Sequence, residues 1–151
     1  MKIHIKHILH ESFADYKKCS MLICGCTCTW KCGKNLCQNS KLALSPTKEI
    51  QIQKIVEEYL KNDLTSAIVF AGLEWMDQSL ELLECIEAFR EKTMDDIVIY
   101  TGYDKNEIEE HIMILKKYKN IIVKFGRYVG GQQPHYDKVL RSIFSKRQSI
   151  R

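Results

Sequence analysis

The hydrophobic pattern of this chain predicts an α/β fold: a parallel sheet with alternating helices, either open or curled into an incomplete (β/α) barrel. Three observations carry that prediction. A short, fully apolar run at Ala67-Ile68-Val69-Phe70 is the mark of a buried strand, and strands follow at Ile97-Val98-Ile99-Tyr100 and Asn120-Ile121-Ile122-Val123-Lys124. The segments between them carry apolar residues at helical spacing, and strands alternating with helices build a parallel sheet. At 151 residues the chain is the size of one domain and can bury a core without disulfides, so residues 1–151 are read as a single domain.

Taken in order, residues 1–9 alternate His and Lys with Ile and Leu and read as an edge strand. Ser20-Met21-Leu22-Ile23 is a second apolar stretch, which leads into a cysteine-rich loop over 24–40. Pro46-Thr47-Lys48-Glu49 reads as a helix start, followed by Ile52, Ile55, Val56, Tyr59 and Leu60 on one stripe. After the strand at 67–70, a helix over roughly 77–92 places Leu80, Leu83, Ile86 (or Cys85) and Phe89 on one face. A helix over 105–117 carries Ile108, Ile112 and Leu115 between the last two strands. Active sites in such sheets gather where loops leave the C-terminal strand ends. The cysteine loop, Ala71-Gly72-Leu73-Glu74, Thr101-Gly102-Tyr103 and Gly126-Arg127 all fall there.

Composition excludes several classes. No apolar run approaches the roughly 20 residues that cross a bilayer. The N-terminus lacks the continuous apolar core of a signal peptide, which places the protein in the cytoplasm. The net charge of +4 is unevenly spread. Residues 1–115 hold 13 Lys/Arg against 18 Asp/Glu, whereas residues 116–151 hold 10 basic residues and one acid, Asp137. The basic C-terminal tail, 130–151, can meet an acidic surface or phosphate. It lacks interleaved aromatic platforms, so nucleic acid is not the expected partner.

Six of the seven cysteines lie between Cys19 and Cys37, and only Cys85 lies elsewhere. Disulfides staple distant segments, and this clustering would staple almost nothing, so metal binding fits better. Three thiolates on a 4Fe–4S cluster leave one iron open to another ligand, whereas structural zinc and electron-transfer clusters usually take four protein ligands. Cys24, Cys28 and Cys32 share a spacing of four, with Cys26 between two of them, so spacing alone does not choose the set. Trp30 as a shield and Gly33 as a bend favour Cys28, Cys32 and Cys37. Cys85, on an apolar helix face, reads as a core residue. His4 and His7 fall on opposite faces of a strand and do not converge on a metal.

Cys28-x-x-x-Cys32 followed by Cys37-x-Asn39 resembles the cluster loop of radical S-adenosylmethionine enzymes, in particular their small glycyl-radical-activating members. Gly72-Leu73-Glu74 is similar to the family's Gly-Gly-Glu/Asp motif, and Ile99-Tyr100-Thr101-Gly102-Tyr103 to its aromatic-Thr-Gly-Tyr strand end. Val123-Lys124-Phe125-Gly126-Arg127-Tyr128 resembles its later strand and loop. Departures are the four residues between Cys32 and Cys37, where the family has two, Leu73 for the second glycine, and Trp75 where proline is common.

The resemblance implies an incomplete (β/α) barrel holding one 4Fe–4S cluster and S-adenosyl-L-methionine. It implies that Cys28, Cys32 and Cys37 ligate the cluster, with Trp30 and Asn39 beside it. Gly72 and Glu74 would hold the cofactor's ammonium, and Thr101 and Tyr103 would line its pocket. It further implies formation of a 5′-deoxyadenosyl radical, which installs a glycyl radical on a partner, the anaerobic ribonucleotide reductase, with flavodoxin or ferredoxin as electron donor. Trp75, Tyr128 and the basic tail are the candidate docking surfaces. Two alternatives stand beside this reading: an electron-transfer 4Fe–4S protein with Cys24 or Cys26 as fourth ligand, and a zinc-binding interaction module.

Overall fold

The computed structural model describes residues 1–27, 40–126, 134–137, 142–145 and 149–150. Its main sheet has seven strands: β1 (Lys2–Ser12), β2 (Ser20–Gly25), β3 (Lys48–Gln51), β4 (Ala67–Gly72), β5 (Asp96–Tyr100), β6 (Ile121–Phe125) and β9 (Ser149–Ile150), in the spatial order β3-β1-β2-β4-β5-β6-β9. A separate hairpin pairs β7 (Pro134–Asp137) with β8 (Ser142–Ser145). The helices are α1 (Ser40–Leu44), α2 (Ile52–Lys61), α3 (Ser79–Arg90) and α4 (Glu109–Leu115).

The four central strands, β2, β4, β5 and β6, are parallel. Their order follows the chain without reversal. Crossovers between parallel strands are right-handed, so a progression with no reversal puts the crossover helices α2, α3 and α4 on the same face. The core obeys this. Ile55, Val56 and Tyr59 of α2, Leu82, Ile86 and Phe89 of α3, and Ile112 and Leu115 of α4 share one cluster with Met21, Ile23, Ile68, Phe70, Ile97, Ile99, Val123 and Phe125. Alternate strand residues point the other way, and Leu22, Cys24, Ala67, Val69, Val98 and Ile122 form a second cluster with Tyr16, against which Leu42 of the short α1 packs. A sheet with a parallel centre, antiparallel margins, its three longer helices on one face and no closure matches the predicted incomplete barrel.

Several boundaries differ from the sequence reading. The first strand is not at the edge, because β3 pairs antiparallel outside it, Lys2 opposite Gln51 through Ile5 opposite Lys48. Lys48 and Glu49 therefore belong to a strand rather than to a helix start, and α2 begins at Ile52. The segment expected to open as a helix near 77 opens as a 3₁₀ turn, Trp75–Gln78, and α3 buries Leu82, Cys85, Ile86 and Phe89 while Leu80 is exposed. The last predicted helix divides in the same way, into a 3₁₀ turn (Lys105–Glu107) and α4. Cys85 is fully buried, as expected of a core residue.

Candidate cluster and cofactor site

Each parallel strand delivers its C-terminal end to one edge of the sheet, and the candidate residues collect there. β4 ends at Gly72, whose φ of +84° is left-handed backbone that glycine tolerates without steric cost. A Cβ at Gly72 would lie 2.9 Å from both the Cys24 Cβ and the Leu42 Cδ2, so the turn also needs the missing side chain. The turn lifts Glu74 over the end of β5.

Glu74 is buried, and its carboxylate gathers three donors. Oε1 accepts the Met76 N–H at 3.0 Å and the Thr101 hydroxyl at 2.8 Å, and Oε2 accepts the Gly102 N–H at 2.7 Å. Burial pushes its pKa above the ordinary carboxylate value, opposed by the hydrogen bonds from Gly102, Met76 and Thr101. No salt bridge to Glu74 occurs among the described residues. A carboxylate oxygen accepts two hydrogen bonds, and among the described residues Oε2 meets one donor, Gly102. A buried carboxylate with no cation beside it among the described residues fits an ammonium group.

Thr101 and Tyr103 belong to the same constellation. The Thr101 hydroxyl also accepts the Tyr103 N–H at 3.1 Å, and the Tyr103 hydroxyl donates to Asp77. The Tyr103 carbonyl accepts the Gly126 N–H at 3.1 Å, tying the loops after β5 and β6 together. Gly72, Glu74, Thr101 and Tyr103 are therefore brought to one strand edge.

The start of the cysteine loop is fastened to this group. The Glu74 N–H donates to the Thr27 carbonyl at 2.6 Å, and the Thr27 hydroxyl donates back to the Glu74 carbonyl at 3.2 Å. The Cys26 N–H donates to Gln78 Oε1 at 2.8 Å. Cys28, Trp30, Cys32, Cys37 and Asn39 lie outside the described residues. The two bonds between Thr27 and Glu74 nonetheless start the loop directly beside the carboxylate.

The remaining described cysteines separate by environment. Cys19, Cys24, Cys26 and Cys85 are all free thiols. Burial and the nearby Asp15 charge push the Cys24 thiol up to about 11, so it is a neutral packing residue at physiological pH. Cys26 is only partly covered. His4 and His10 each meet a carboxylate, Glu81 and Glu58, and the described residues hold no group of three or more metal-ligating side chains. Trp75, expected to dock a partner, is instead fully buried. Its ring stands edge-on to Phe70, and its indole N–H donates to the carbonyls of Ile23 and Ala71, which clamps β2 to β4 at the site. Gln78 and Thr27 escaped the sequence reading, because a single amide or hydroxyl beside a loop has no periodicity or spacing to mark it.

Strand β2 of this mixed, unclosed α/β sheet runs into the cysteine-rich segment, and Glu74 is buried at the same strand edge. The chain belongs to the 4Fe-4S single cluster domain family, whose model matches residues 17–151. It is a 4Fe–4S cluster-binding protein. No curated protein matches the chain. No helix among the described residues is long and apolar enough to cross a membrane.

Proposed function

We propose that this protein is a radical S-adenosylmethionine activating enzyme, with the substrate supplied by a glycyl-radical partner of the anaerobic ribonucleotide reductase type. The observation that carries the reading is the Glu74 carboxylate, buried, held by three donors, with no cation beside it among the described residues. Thr101, Gly102 and Met76 fix the carboxylate so that it takes an ammonium in a charge-assisted hydrogen bond without reorganising. Thr27, which directly precedes Cys28, is bonded to the Glu74 backbone, and this supports the reading of Cys28, Cys32 and Cys37 as cluster ligands near that carboxylate. A cluster held by Cys28, Cys32 and Cys37, with the cofactor's ammonium on Glu74, would supply one electron, drawn from a flavodoxin- or ferredoxin-type donor, for cleavage of the sulfonium C5′–S bond to methionine and a 5′-deoxyadenosyl radical, whose hydrogen atom would come from a glycine of the partner.

The test is electron paramagnetic resonance on anaerobically reconstituted, dithionite-reduced protein with and without S-adenosylmethionine. A cluster signal that changes on addition supports an open iron. A signal indifferent to addition sinks the reading and favours the second one, an electron-transfer protein with Cys26 as a fourth thiolate. That second reading draws on the partly covered Cys26, which sits at the loop's start.

A further inference from the structure

Among the polar residues at this edge, Gln78 is the one whose hydrogen bonds reach outward to three different elements. It ends the 3₁₀ turn Trp75–Gln78, immediately before α3. Its Oε1 accepts the Cys26 N–H at 2.8 Å and the Thr27 hydroxyl at 3.4 Å. Its Nε2 donates to the His4 carbonyl of β1 at 3.0 Å and to Glu81 Oε2 of α3 at 2.8 Å. Both amide protons are thus used, Oε1 takes the Cys26 N–H, and the one Thr27 hydroxyl proton is shared between Oε1 and the Glu74 carbonyl, so the amide has one orientation that suits its partners. Glu81 is itself held, taking the His4 N–H at 3.1 Å and meeting the His4 ring at 2.7 Å.

Gly25 completes the arrangement. A Cβ there would lie 3.0 Å from Gln78 Oε1 and 3.2 Å from the Trp75 ring, so the strand end is bare where the amide must approach. The loop leaves the sheet through Cys26 and Thr27 alone. Glu74 holds Thr27 on one side, and Gln78 holds Cys26 and Thr27 on the other. Ligand geometry at a metal centre is governed by the groups that orient the ligands as well as by the ligands themselves.

We infer that Gln78 is the positioning residue of the cluster loop: its amide holds the Cys26 backbone N–H and the Thr27 hydroxyl beside Glu74 and thereby sets how firmly the cluster is retained. The inference rests on the cysteine loop as the cluster's seat. It does not depend on S-adenosylmethionine chemistry.

The experiment follows cluster loss in the full reconstituted chain, as bleaching of the thiolate-to-iron absorption after addition of a ferrous chelator. Two variants are compared with wild type, Gln78→Ala and Gln78→Glu, and the denaturant midpoint of each is measured beside its bleaching rate. Gln78→Ala bleaches about tenfold faster, the usual scale for removing an orienting group around a metal. Gln78→Glu keeps an acceptor for the Cys26 N–H but sets carboxylate oxygens against Glu81 and the His4 carbonyl, and it bleaches equally fast. In both variants the bleaching rate changes by more than the unfolding midpoint accounts for, which a general loss of fold would not give. Wild-type bleaching in Gln78→Ala overturns the inference, and so does faster bleaching that an equal loss of global stability explains. If the wild-type cluster signal ignores S-adenosylmethionine, the proposed function fails while these rates remain readable.

Discussion

Replacing Glu74 with glutamine removes one charge and leaves the shape. In the folded protein the carboxylate takes the Met76 N–H and Thr101 hydroxyl on one oxygen and the Gly102 N–H on the other. An amide satisfies the first oxygen's partners but turns an NH₂ toward the Gly102 N–H, a donor against a donor. Leaving one buried donor unmet costs about 1–3 kcal/mol. Burying a neutral amide in place of a desolvated carboxylate recovers energy of similar size, so the apo fold should change little. Cofactor binding should not be spared. A hydrogen bond to a charged group contributes about 1.5–3 kcal/mol, which is roughly 10- to 150-fold in Kd. Titration of S-adenosylmethionine into the reduced variant, followed by electron paramagnetic resonance, should therefore give a dissociation constant at least tenfold weaker. An unchanged constant would refute the assignment of Glu74 to the ammonium. The same variant carries a pH signature. Because burial raises the folded-state pKa of Glu74 above its unfolded value, its contribution to stability falls as pH rises from the ordinary carboxylate range through the raised value. Glu74→Gln should lack that decline in urea unfolding measured across the acidic range.

Other predictions concern the supports of the site. Gly72→Ala forces left-handed backbone on an L residue, about 1–2 kcal/mol, and drives its Cβ to 2.9 Å from Cys24 and Leu42, about 1–3 kcal/mol of overpacking. Denaturant unfolding should show a loss of about 2–5 kcal/mol, and a loss below about 1 kcal/mol would contradict the geometry. Thr101→Val removes the donor to Glu74 and the acceptor for the Tyr103 N–H, and it should weaken S-adenosylmethionine about tenfold and lower the melting temperature by about 2–10 °C. A binding constant equal to wild type would count against it. The Glu81 hydrogen bond and charge raise the His4 pKa. Its stabilising contribution is present below the ordinary histidine value and fades as pH rises through the raised one, so His4→Asn should flatten the stability profile there.

Much of the sheet could be read from the chain because its central strands are buried on both faces and so leave continuous apolar runs, as at Ala67–Phe70. β3 could not. Pro46-Thr47-Lys48-Glu49 carries a genuine helix-start pattern, and only the distant pairing with Lys2–Ile5 makes Lys48–Gln51 a strand. In α3, Leu80, Leu83 and Leu82 all satisfy a helical period, and the approach of the sheet decides that Leu82 is buried and Leu80 exposed. At the site, the rule that loops gather at C-terminal strand ends brought Glu74 and Thr101 together in advance. The 2.8 Å bond between them, and the amide of Gln78 bridging three elements, depend on side-chain positions that no spacing encodes.

The spatial order of the strands has one more result. The longest described strand, β1, lies inside the sheet, and the margin beyond it is the four-residue β3. β3 begins with two charged residues in solvent, Lys48 and Glu49, and Glu49 is bound to Lys2 at 3.1 Å. A short border that opens with charge offers an approaching chain few hydrogen-bonding groups and little apolar surface. On this margin the arrangement disfavours the pairing of further copies with a sheet rich in isoleucine and valine.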